Sequence, residues 1–418
     1  MSKRVVAKYL LETAFPIEQA ADVVGGEQSS GTFVEVPGET ADLRARFRAR
    51  VESINVLETV SEASLPGAAV PKGGGGNYTR AEVSLSFSLE NMGLNLPTLI
   101  ATVAGNLFEL RDVSGLKLLD FDVPPDFANR YPGPQFGIAG TRHLAGVFDR
   151  PIIGTIVKPS VGLTPQQTAD LVRDLAEAGI DFVKDDELMA DPPHSPLKKR
   201  VKAVMDVVNA VADRTGKKVM VAFNITDELD AMLSHHDTIL KAGGTCVMVS
   251  LNSIGPVGVA HLRKYCQLPI HAHRNGWGML TRHPYLGMAF PAYQKIWRLA
   301  GVDHIHVNGI QNKFWEIDDS VVASIRACFA PFLGGYDVMP VISSGQWGGQ
   351  APETYRRVKS VDVMYLAGGG IMAHPGGPAA GVVAIRQAWE AAILGIDLET
   401  HAKDHVELRQ SIEKFGKK

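Results

Sequence analysis

The last two thirds of the chain alternate between short apolar runs and longer amphipathic stretches. The stretches at 197–214, 229–242 and 381–394 repeat apolar residues at helical spacing, which predicts helices. The apolar runs predict eight β-strands, at 152–157, 182–186, 219–225, 245–251, 269–273, 304–307, 339–343 and 361–366. Eight strand–helix units within ~250 residues predict a (β/α)8 barrel. A doubly wound sheet is the alternative, but no G-x-G-x-x-G motif follows the first strand.

The first third of the chain has a different pattern. Apolar residues alternate or cluster at 5–13 and 82–89 as they do in strands, and 97–103 resembles the start of a helix. From 131 to 147 the chain is rich in glycine, proline and arginine, which predicts a linker. The fold class is therefore α/β. We predict a small α+β N-terminal domain at 1–130, a linker at 131–147, and a TIM barrel with a C-terminal helical extension at 148–418.

Composition narrows the class of protein. The 418 residues are 45% hydrophobic and 21% charged, as in ordinary globular proteins. A net charge of −3 gives no indication of a nucleic acid or a membrane surface as partner. No apolar run has the length of a membrane span, and the N-terminus lacks the apolar core of a signal peptide. Three widely spaced cysteines, Cys246, Cys266 and Cys328, fit a cytoplasmic protein with reduced thiols.

The densest group of charged residues follows the second barrel strand. Lys184, Asp185, Asp186 and Glu187 come directly after an apolar run. Active sites of these barrels lie at the carboxyl ends of the strands, and clustered carboxylates suit a hard cation such as Mg²⁺. Alternation puts Lys184 and Asp186 on one strand face, and Glu187 joins them only if the chain turns. A salt-bridged barrel mouth without a metal is the alternative interpretation.

The lysine of this cluster would repel a metal ion while it is protonated. Free lysine has a pKa of about 10.4 and is mostly charged at neutral pH. A neutral amine, however, reacts with CO2 to form a carbamate, which is an anionic oxygen ligand. A partly buried position lowers the lysine pKa, and a bound divalent cation favours the carbamate. Carbamylation of Lys184 would therefore remove the conflict.

Two His-x-His pairs end the fifth and sixth barrel strands. They are His271 with His273 and His304 with His306, and the spacing of two puts both rings of a pair on one strand face. Such a pair alone suggests zinc. Arg274 beside the first pair instead favours an anion such as phosphate. A polar barrel interior with hydrogen-bonded histidines is the alternative.

The ends of the remaining strands also carry chemistry. Lys158 ends the first strand and would point into the same mouth. Lys313 lies in a glycine-bearing loop after the sixth strand, and such a loop can close over a ligand. Barrels of this type often bind phosphate through the loops after strands seven and eight, here Ser344-Gly345 and Gly368-Gly369. Backbone N–H groups in glycine turns bind a dianion directly.

In order and spacing, these segments resemble the large subunit of ribulose-bisphosphate carboxylase/oxygenase (RuBisCO) over nearly the whole chain. Segment 179–187 is similar to the G-x-D-F-x-K-x-D-E activation site, and 155–159 to the T-I-x-K-P strand. The resemblance implies one Mg²⁺ bound by carbamylated Lys184, Asp186 and Glu187. It implies that Lys158 acts on an enediolate and that Lys313 belongs to a mobile loop. The implied catalytic residues are Lys158, Lys184, His273 and Lys313, and the implied substrate-binding residues are Arg274, His306, Ser344, Gly368 and Gly369.

The N-terminal domain resembles the same family. Segment 27–33 is similar to its E-S-S-T-G-T-W motif, and Gly105-Asn106 to its G-N-x-F motif. In the family, these residues complete the active site of a neighbouring subunit. The resemblance therefore implies that Thr32 and Asn106 bind substrate. It also implies a homodimer or a higher homo-oligomer.

Several positions depart from the family pattern. The first barrel strand ends in Lys158-Pro159-Ser160 where the family has K-P-K, so one cation is absent. Phe33 stands in place of a tryptophan, Trp277 in place of a histidine, and Gln346 in place of a glycine in the S-G-G turn. A site for two phosphates is thus altered at several points. We expect a RuBisCO-like protein of form IV that does not fix CO2.

The retained residues limit the chemistry. By the resemblance, Mg²⁺ stabilises an enediolate, which can arise by enolisation, by decarboxylation or by transfer of a carboxylate to water. Lys313 faces CO2 in the carboxylating relatives, so a lysine retained there favours a substrate with a carboxylate. We therefore expect decarboxylation of a 3-oxo sugar-acid phosphate, such as 3-oxo-isoapionate 4-phosphate of apiose catabolism. The alternatives are a transcarboxylase/hydrolase on that substrate, the 2,3-diketo-5-methylthiopentyl-1-phosphate enolase of methionine salvage, and a non-catalytic binding protein.

Overall fold

The computed structural model describes residues 3–31, 36–72 and 76–416. These residues form two compact units. One unit contains the described residues up to Pro132 together with Gly276–Leu299. The other contains Gly133–Asn275 and the described chain from Ala300 onward. None of the described helices is long and apolar enough to cross a membrane.

The first unit is built on a five-stranded sheet. Four of its strands are β1 (Arg4–Thr13), β2 (Arg50–Val60), β3 (Tyr78–Ser88) and β4 (Gly115–Asp122). They pair antiparallel in the order β4-β1-β3-β2, and a short strand at Leu286–Met288 pairs parallel with β4. The helices are α1 (Ile17–Glu27), α2 (Ala41–Phe47), α3 (Leu89–Met92) and α4 (Leu96–Ala104), with 3-10 turns at Asn106–Glu109 and Pro125–Asn129.

Burial explains which strands of this sheet the sequence pattern could predict. β1 was predicted because alternate residues such as Val5, Ala7 and Tyr9 are fully buried, which produces a period of two. β2 was missed because nearly all of its side chains are exposed, so the strand has no buried face that would impose an apolar alternation. β3 begins earlier than predicted, since its first residues are only half-buried.

The second unit contains a closed barrel of eight parallel strands. They are β5 (Ile152–Ile156), β6 (Phe182–Lys184), β7 (Met220–Asn224), β8 (Cys246–Ser250), β9 (Ile270–His273), β11 (His304–His306), β12 (Met339–Ile342) and β13 (Met364–Leu366), with β10 (Leu286–Met288) in the other unit. Each barrel strand pairs with its neighbours in chain order, and β13 closes the ring on β5. All eight predicted strands are confirmed, each within its predicted bounds, and the (β/α)8 barrel with a smaller α+β part is the observed fold.

Helices connect the strands and extend beyond the last one. They are α5 (Gly137–Ala145), α6 (Pro165–Glu177), α7 (Leu197–Thr215), α8 (Leu229–Lys241), α9 (Leu251–Tyr265), α10 (Trp277–Thr281), α11 (Phe290–Ala300), α12 (Asp318–Phe329), α13 (Ala351–Val358), α14 (Gly368–Met372), α15 (Gly377–Leu394), α16 (Leu398–His401) and α17 (Val406–Phe415). A 3-10 turn at Gly348–Gln350 precedes α13.

Helix α5 lies inside the segment that we predicted to be an irregular linker. Its first backbone N–H groups are capped by carboxylates from distant parts of the chain. Asp303 accepts from the N–H of Phe136 at 2.6 Å, and Asp337 accepts from the N–H of Ile138 at 3.1 Å. Since a helix start needs partners for its free N–H groups, these remote carboxylates support a helix that local sequence did not indicate.

Candidate active site at the barrel mouth

Lys184 is the last residue of β6, and its side chain is fully buried. Its Nζ atom donates to the carbonyl oxygen of Asp185 at 2.7 Å and lies 3.7 Å from Glu187 Oε2. Glu187 comes this close because the chain turns directly after the strand. Burial lowers the pKa of Lys184, against the attraction of Glu187 for the charged form. The neutral amine is the form that reacts with CO2. Because the pKa is lowered, a larger fraction of the amine is neutral at a given pH than in water.

Lys158 reaches the same group from just beyond β5. Its Nζ atom lies 2.9 Å from Asp186 Oδ2 and 2.5 Å from Ser160 Oγ. Burial raises the pKa of Asp186, but hydrogen bonds from Lys158 and Ser160 outweigh burial and lower the pKa overall. Asp186 is therefore an ionised carboxylate at neutral pH. Ser160, at the position where the family pattern has a lysine, orients Lys158 and adds no second charge.

Glu187 is the more accessible of the two carboxylates, and its Oε2 atom lies 3.5 Å from His273 Nε2. Burial, together with the charge of Lys184, lowers the pKa of His273 to about 4, so the ring is neutral at pH 7. A carbamate on Lys184 would add oxygen donors beside Asp186 and Glu187. Such an oxygen-rich set fits Mg²⁺.

Asp185 belongs to a different part of the structure, although it stands between the other acids in sequence. Its Oδ2 atom lies 3.2 Å from Arg200 Nη2 and accepts from the N–H of Asn224 at 3.1 Å. The Asn224 side chain donates in turn to the carbonyl oxygens of Asp186 and Glu187, at 3.2 and 3.0 Å. Arg200 and Asn224 therefore hold the turn that presents the two acids. We predicted neither residue, yet a polar residue ending the apolar strand β7 was a usable signal for Asn224.

A chain of hydrogen bonds runs through the barrel interior to the mouth. Thr141 Oγ1 lies 2.9 Å from His304 Nε2, and His304 Nδ1 lies 3.3 Å from His271 Nδ1. His271 Nε2 lies 2.9 Å from His306 Nε2, and His306 Nδ1 lies 3.1 Å from Ser343 Oγ. His271 and His304 thus have hydrogen-bond partners inside the barrel, which is the alternative that their sequence pattern left open.

The hydroxyl group of Thr141 sets the direction of every hydrogen bond in this series. Thr141 donates its only hydroxyl proton to the carbonyl oxygen of Gly137, so its oxygen accepts from His304 Nε2. His304 Nδ1 is then an acceptor, and His271 Nδ1 must donate to it. By the same alternation, His306 donates from Nε2 and accepts the Ser343 hydroxyl proton at Nδ1.

The three histidine rings in this series of hydrogen bonds are uncharged at neutral pH. Burial lowers the pKa of His304 to about 3. Burial also lowers the pKa values of His271 and His306 well below the usual range, with neighbouring histidines adding to the shift. A neutral ring has one donor and one acceptor, which is what the chain requires. His306 is therefore held in one tautomer and one orientation.

Arg274 follows β9 and is buried beside an acid that we did not predict. Its Nη2 atom lies 2.9 Å from Glu316 Oε2. Glu316 also accepts from Asn308 Nδ2 at 2.5 Å and from Ser320 Oγ at 2.8 Å. A substrate anion that binds Arg274 therefore has to share the arginine with Glu316.

The loops after β11 and β12 touch each other. The side chain of Lys313 is exposed, and its Nζ atom lies 5.2 Å from the centre of the Phe314 ring. The N–H of Lys313 donates to the carbonyl oxygen of Ser344 at 3.1 Å. Ser344 donates from Oγ to Asn308 Oδ1 at 2.8 Å. Both Asn308 and Ser344 have positive φ, of 68° and 76°, so the two turns are tightly constrained.

The side chain of Gln346, which departs from the S-G-G pattern, connects the loop after β12 to the loop after β11. Its side chain is buried, and Nε2 donates to the carbonyl oxygen of Ile310 at 3.1 Å. Its Oε1 atom lies 3.3 Å from the hydroxyl of Tyr365 on β13. A Cβ atom at Gly309 would come within 2.3 Å of Gln346 Cδ, so only glycine leaves room for it. The glutamine therefore supports the Lys313 loop.

The glycine turn after β13 lies beside Lys158. A Cβ atom at Gly368 would stand 3.9 Å from Lys158 Cε, whereas a Cβ atom at Gly369 would meet no atom within 4 Å. The turn thus leaves open space at Gly369 next to a cation. This arrangement can accommodate an anionic group.

Not every predicted residue is placed in this mouth. Thr32 and Phe33 lie outside the described residues. Asn106 is exposed in a 3-10 turn of the other unit. Trp277 also belongs to that unit, where its ring packs 4.5 Å from the ring of Tyr293. Their roles remain predictions. Lys158, Lys184, Asp186, Glu187 and His273 are brought together in one group.

The chain belongs to the RuBisCO large-chain family. Residues 2–127 match the family model described as the ribulose bisphosphate carboxylase large chain N-terminal domain. Residues 137–415 match the model for its catalytic domain. The resemblance to this family is therefore confirmed, and the roles of the lysines and acids at the barrel mouth stay predictions.

Two curated relatives and one solved structure show where in the family the chain lies. A 3-oxo-isoapionate-4-phosphate transcarboxylase/hydrolase of Xanthobacter autotrophicus is 54% identical over 99% of both chains. A 3-oxo-isoapionate-4-phosphate decarboxylase of Rhizobium etli is 49% identical, again over 99% of both chains. The crystal structure of a rubisco-like protein from Burkholderia fungorum superposes with a TM-score of 0.92 at 48% identity, covering 99% of this chain and 100% of that one.

Proposed function

We propose that the chain is a Mg²⁺-dependent carboxy-lyase that releases CO2 from 3-oxo-isoapionate 4-phosphate or a closely related 3-oxo sugar-acid phosphate. The main support is the cluster of Lys158, Lys184, Asp186 and Glu187, in which each cation lies against a carboxylate. The relatives that act on 3-oxo-isoapionate 4-phosphate support the substrate class.

Lys184, as its carbamate, and the carboxylates of Asp186 and Glu187 would hold the metal ion. Bound there, Mg²⁺ would supply positive charge that offsets the negative charge developing on the substrate oxygens as CO2 leaves. The side chains would bind the substrate and move the proton. Loss of CO2 from a 3-oxo acid leaves an enolate, which is an enediolate where carbon 2 carries a hydroxyl group. A proton must then be added at that carbon.

Lys158 would donate the proton to that carbon. Asp186 and Ser160 hold its Nζ atom at 2.9 and 2.5 Å, so the ammonium group is oriented before substrate binds. His273 contributes a neutral ring next to Glu187, and it can exchange hydrogen bonds with a substrate hydroxyl. These groups together can bind, orient and protonate the intermediate.

The loops after β11, β12 and β13 would hold the charged ends of the substrate. Lys313 carries a cation on a loop that contacts Ser344, and it would face the carboxylate that becomes CO2. The phosphate would lie at the Gly368-Gly369 turn, where space is open beside Lys158. Thr32 and Asn106 would come from a neighbouring subunit of a homodimer.

A second outcome for the same substrate has support of its own. The relative that is 54% identical is a transcarboxylase/hydrolase, and this identity exceeds the 49% of the decarboxylase. In that reaction the CO2 would be added back to another carbon of the intermediate, and water would then cleave a carbon–carbon bond, so that two carboxylic acids would form and no CO2 would be released. The proposed site residues would be the same, because both outcomes begin by breaking the same carbon–carbon bond.

Product analysis distinguishes the two reactions. The full chain, with Mg²⁺ and bicarbonate, is given 3-oxo-isoapionate 4-phosphate, and CO2 and organic acids are both quantified. We expect one CO2 per substrate consumed and no new carboxylic acid. A second carboxylic acid in place of CO2 would show the hydrolase, and no turnover would remove both proposals.

A further inference from the structure

A second group of potential metal ligands lies in the C-terminal extension. Glu390 is on α15, His401 ends α16, and His405 directly precedes α17. One ligand atom from each of the three side chains lies within 4.8 Å of the other two. The set combines two imidazoles with one carboxylate, and the two histidines are four residues apart.

His401 points an unsatisfied nitrogen into this group. Its side chain is only 9% exposed, and its Nε2 atom is buried without a hydrogen-bond partner. The nearest carboxylate oxygen, Glu390 Oε2, is 3.7 Å away, which is beyond hydrogen-bond distance. Leaving a buried polar atom without a partner costs about 1–3 kcal/mol. A metal ion between Nε2 and the carboxylate would satisfy both.

His405 is fixed in the tautomer that binds a metal. Its Nδ1 atom lies 2.7 Å from the carbonyl oxygen of His401. A carbonyl only accepts, so the proton is on Nδ1 and the lone pair is on Nε2. Metal-binding histidines are commonly oriented by such a bond to a backbone carbonyl. The two imidazole rings are stacked, with centroids 3.9 Å apart and planes 20° apart. Because the lone pair of each nitrogen lies in the plane of its ring, one ring has to turn before both can bind the same ion.

We propose that Glu390, His401 and His405 form a zinc site that ties α15 to the segment between α16 and α17. Two imidazoles and one carboxylate are a common donor set for Zn²⁺, whereas Mg²⁺ prefers oxygen. Zn–N bonds of about 2.0–2.1 Å require the ligands to move closer together. The exposed side chain of Glu390 is free to move towards the ion, and the ring of His401 has to turn, because the bond from Nδ1 holds the ring of His405. The site would stabilise the fold and would leave the barrel chemistry to Mg²⁺.

Zinc titration of the full chain, after chelator treatment and dialysis, tests this proposal. Calorimetry should show one Zn²⁺ per chain at this site, and zinc should raise the melting temperature because it binds only the folded state. His405→Gln and Glu390→Gln should each weaken this binding at least tenfold and reduce the melting shift. His143→Gln, a change at an exposed histidine of α5, is the matched control and should leave both unchanged.

Zinc at the barrel mouth has to be counted separately. Any binding that persists in His405→Gln but is lost in Glu187→Gln belongs to the barrel mouth. Co²⁺ absorption bands that require His401 and His405 give a second readout if a variant is unstable. Absence of stoichiometric zinc, or zinc binding equal in wild type and His405→Gln, would overturn the proposal.

Discussion

The two sides of the barrel mouth are built in different ways. On one side, Lys158, Lys184 and Asp186 stand at or directly after strand ends, and each has a charged partner in the same group. On the other side, Lys313 and Ser344 lie on loops that are held by each other and by Gln346. The strand side thus has a fixed arrangement that suits the reacting atoms. The loop side depends on contacts between loops more than on contacts with the strands, which suits a role in choosing the substrate and the fate of its carboxylate.

Loss of the strand side should have the largest effect. We expect Asp186→Asn to reduce turnover by on the order of 10³-fold or more, since it removes a proposed metal ligand and the partner of Lys158. Initial rates of CO2 release measure this. Asp206→Asn on α7 is the matched control, because Asp206 pairs with the exposed Lys202 in the same manner. Turnover close to wild type in Asp186→Asn would contradict the proposed division.

Loss of the loop cation should have the next largest effect. We expect Lys313→Ala to lower kcat/KM for CO2 release by about 10²-fold, as for loss of one charged group at a developing anion. Lys198→Ala, at an exposed lysine of α7, should leave the rate unchanged. Unchanged CO2 release in Lys313→Ala would refute the role of this lysine.

Loss of the loop support should have a smaller effect. We expect Gln346→Gly to weaken the position of the 309–313 loop and to lower kcat/KM about tenfold, as for loss of a supporting residue. Tyr365→Phe removes the hydroxyl that contacts Oε1 and the carbonyl oxygen of Trp347, but it leaves the bond from Gln346 to Ile310 in place, so it should have less effect than Gln346→Gly. Steady-state kinetics of both variants check this. If Gln346→Gly leaves kcat/KM unchanged, Gln346 does not act through the loop.

Because of the buried histidines, we expect the free energy of unfolding to depend on pH. His304 has a pKa of about 3 when folded, against about 6.5 in an unfolded chain. Between these values the unfolded state binds one more proton, so stability falls as the pH falls below about 6.5. The slope from this group is about 1.4 kcal/mol per pH unit.

Urea unfolding at pH 5 to 7 measures that slope. In His304→Asn, the dependence of unfolding free energy on pH should be shallower than in wild type by about one proton. The exposed control His143→Asn should keep the wild-type slope. Equal slopes in wild type and His304→Asn would contradict this expectation, because they would mean that the ring takes up a proton as readily in the folded state as in the unfolded state.

The difference between the strand side and the loop side of the barrel mouth explains which parts of the site the sequence could predict. The strand side was accessible because apolar runs mark strands, and alternation alone puts Lys184 and Asp186 on one face. The loop side depends on contacts between residues far apart in the chain. Glu316 beside Arg274, and Gln346 beneath Gly309, follow no local pattern. Helix α5 was missed for a similar reason, because its caps are Asp303 and Asp337.

The central claim is that Lys184 serves as a carbamate that completes a Mg²⁺ site. ¹³C NMR of the full chain with ¹³C-bicarbonate and Mg²⁺ tests it most directly, with Lys184→Met as the comparison. We predict one carbamate signal per chain in wild type, which requires Mg²⁺, is absent in Lys184→Met and parallels the appearance of activity. Full activity with Mg²⁺ in the absence of CO2, without any carbamate signal, would contradict the claim.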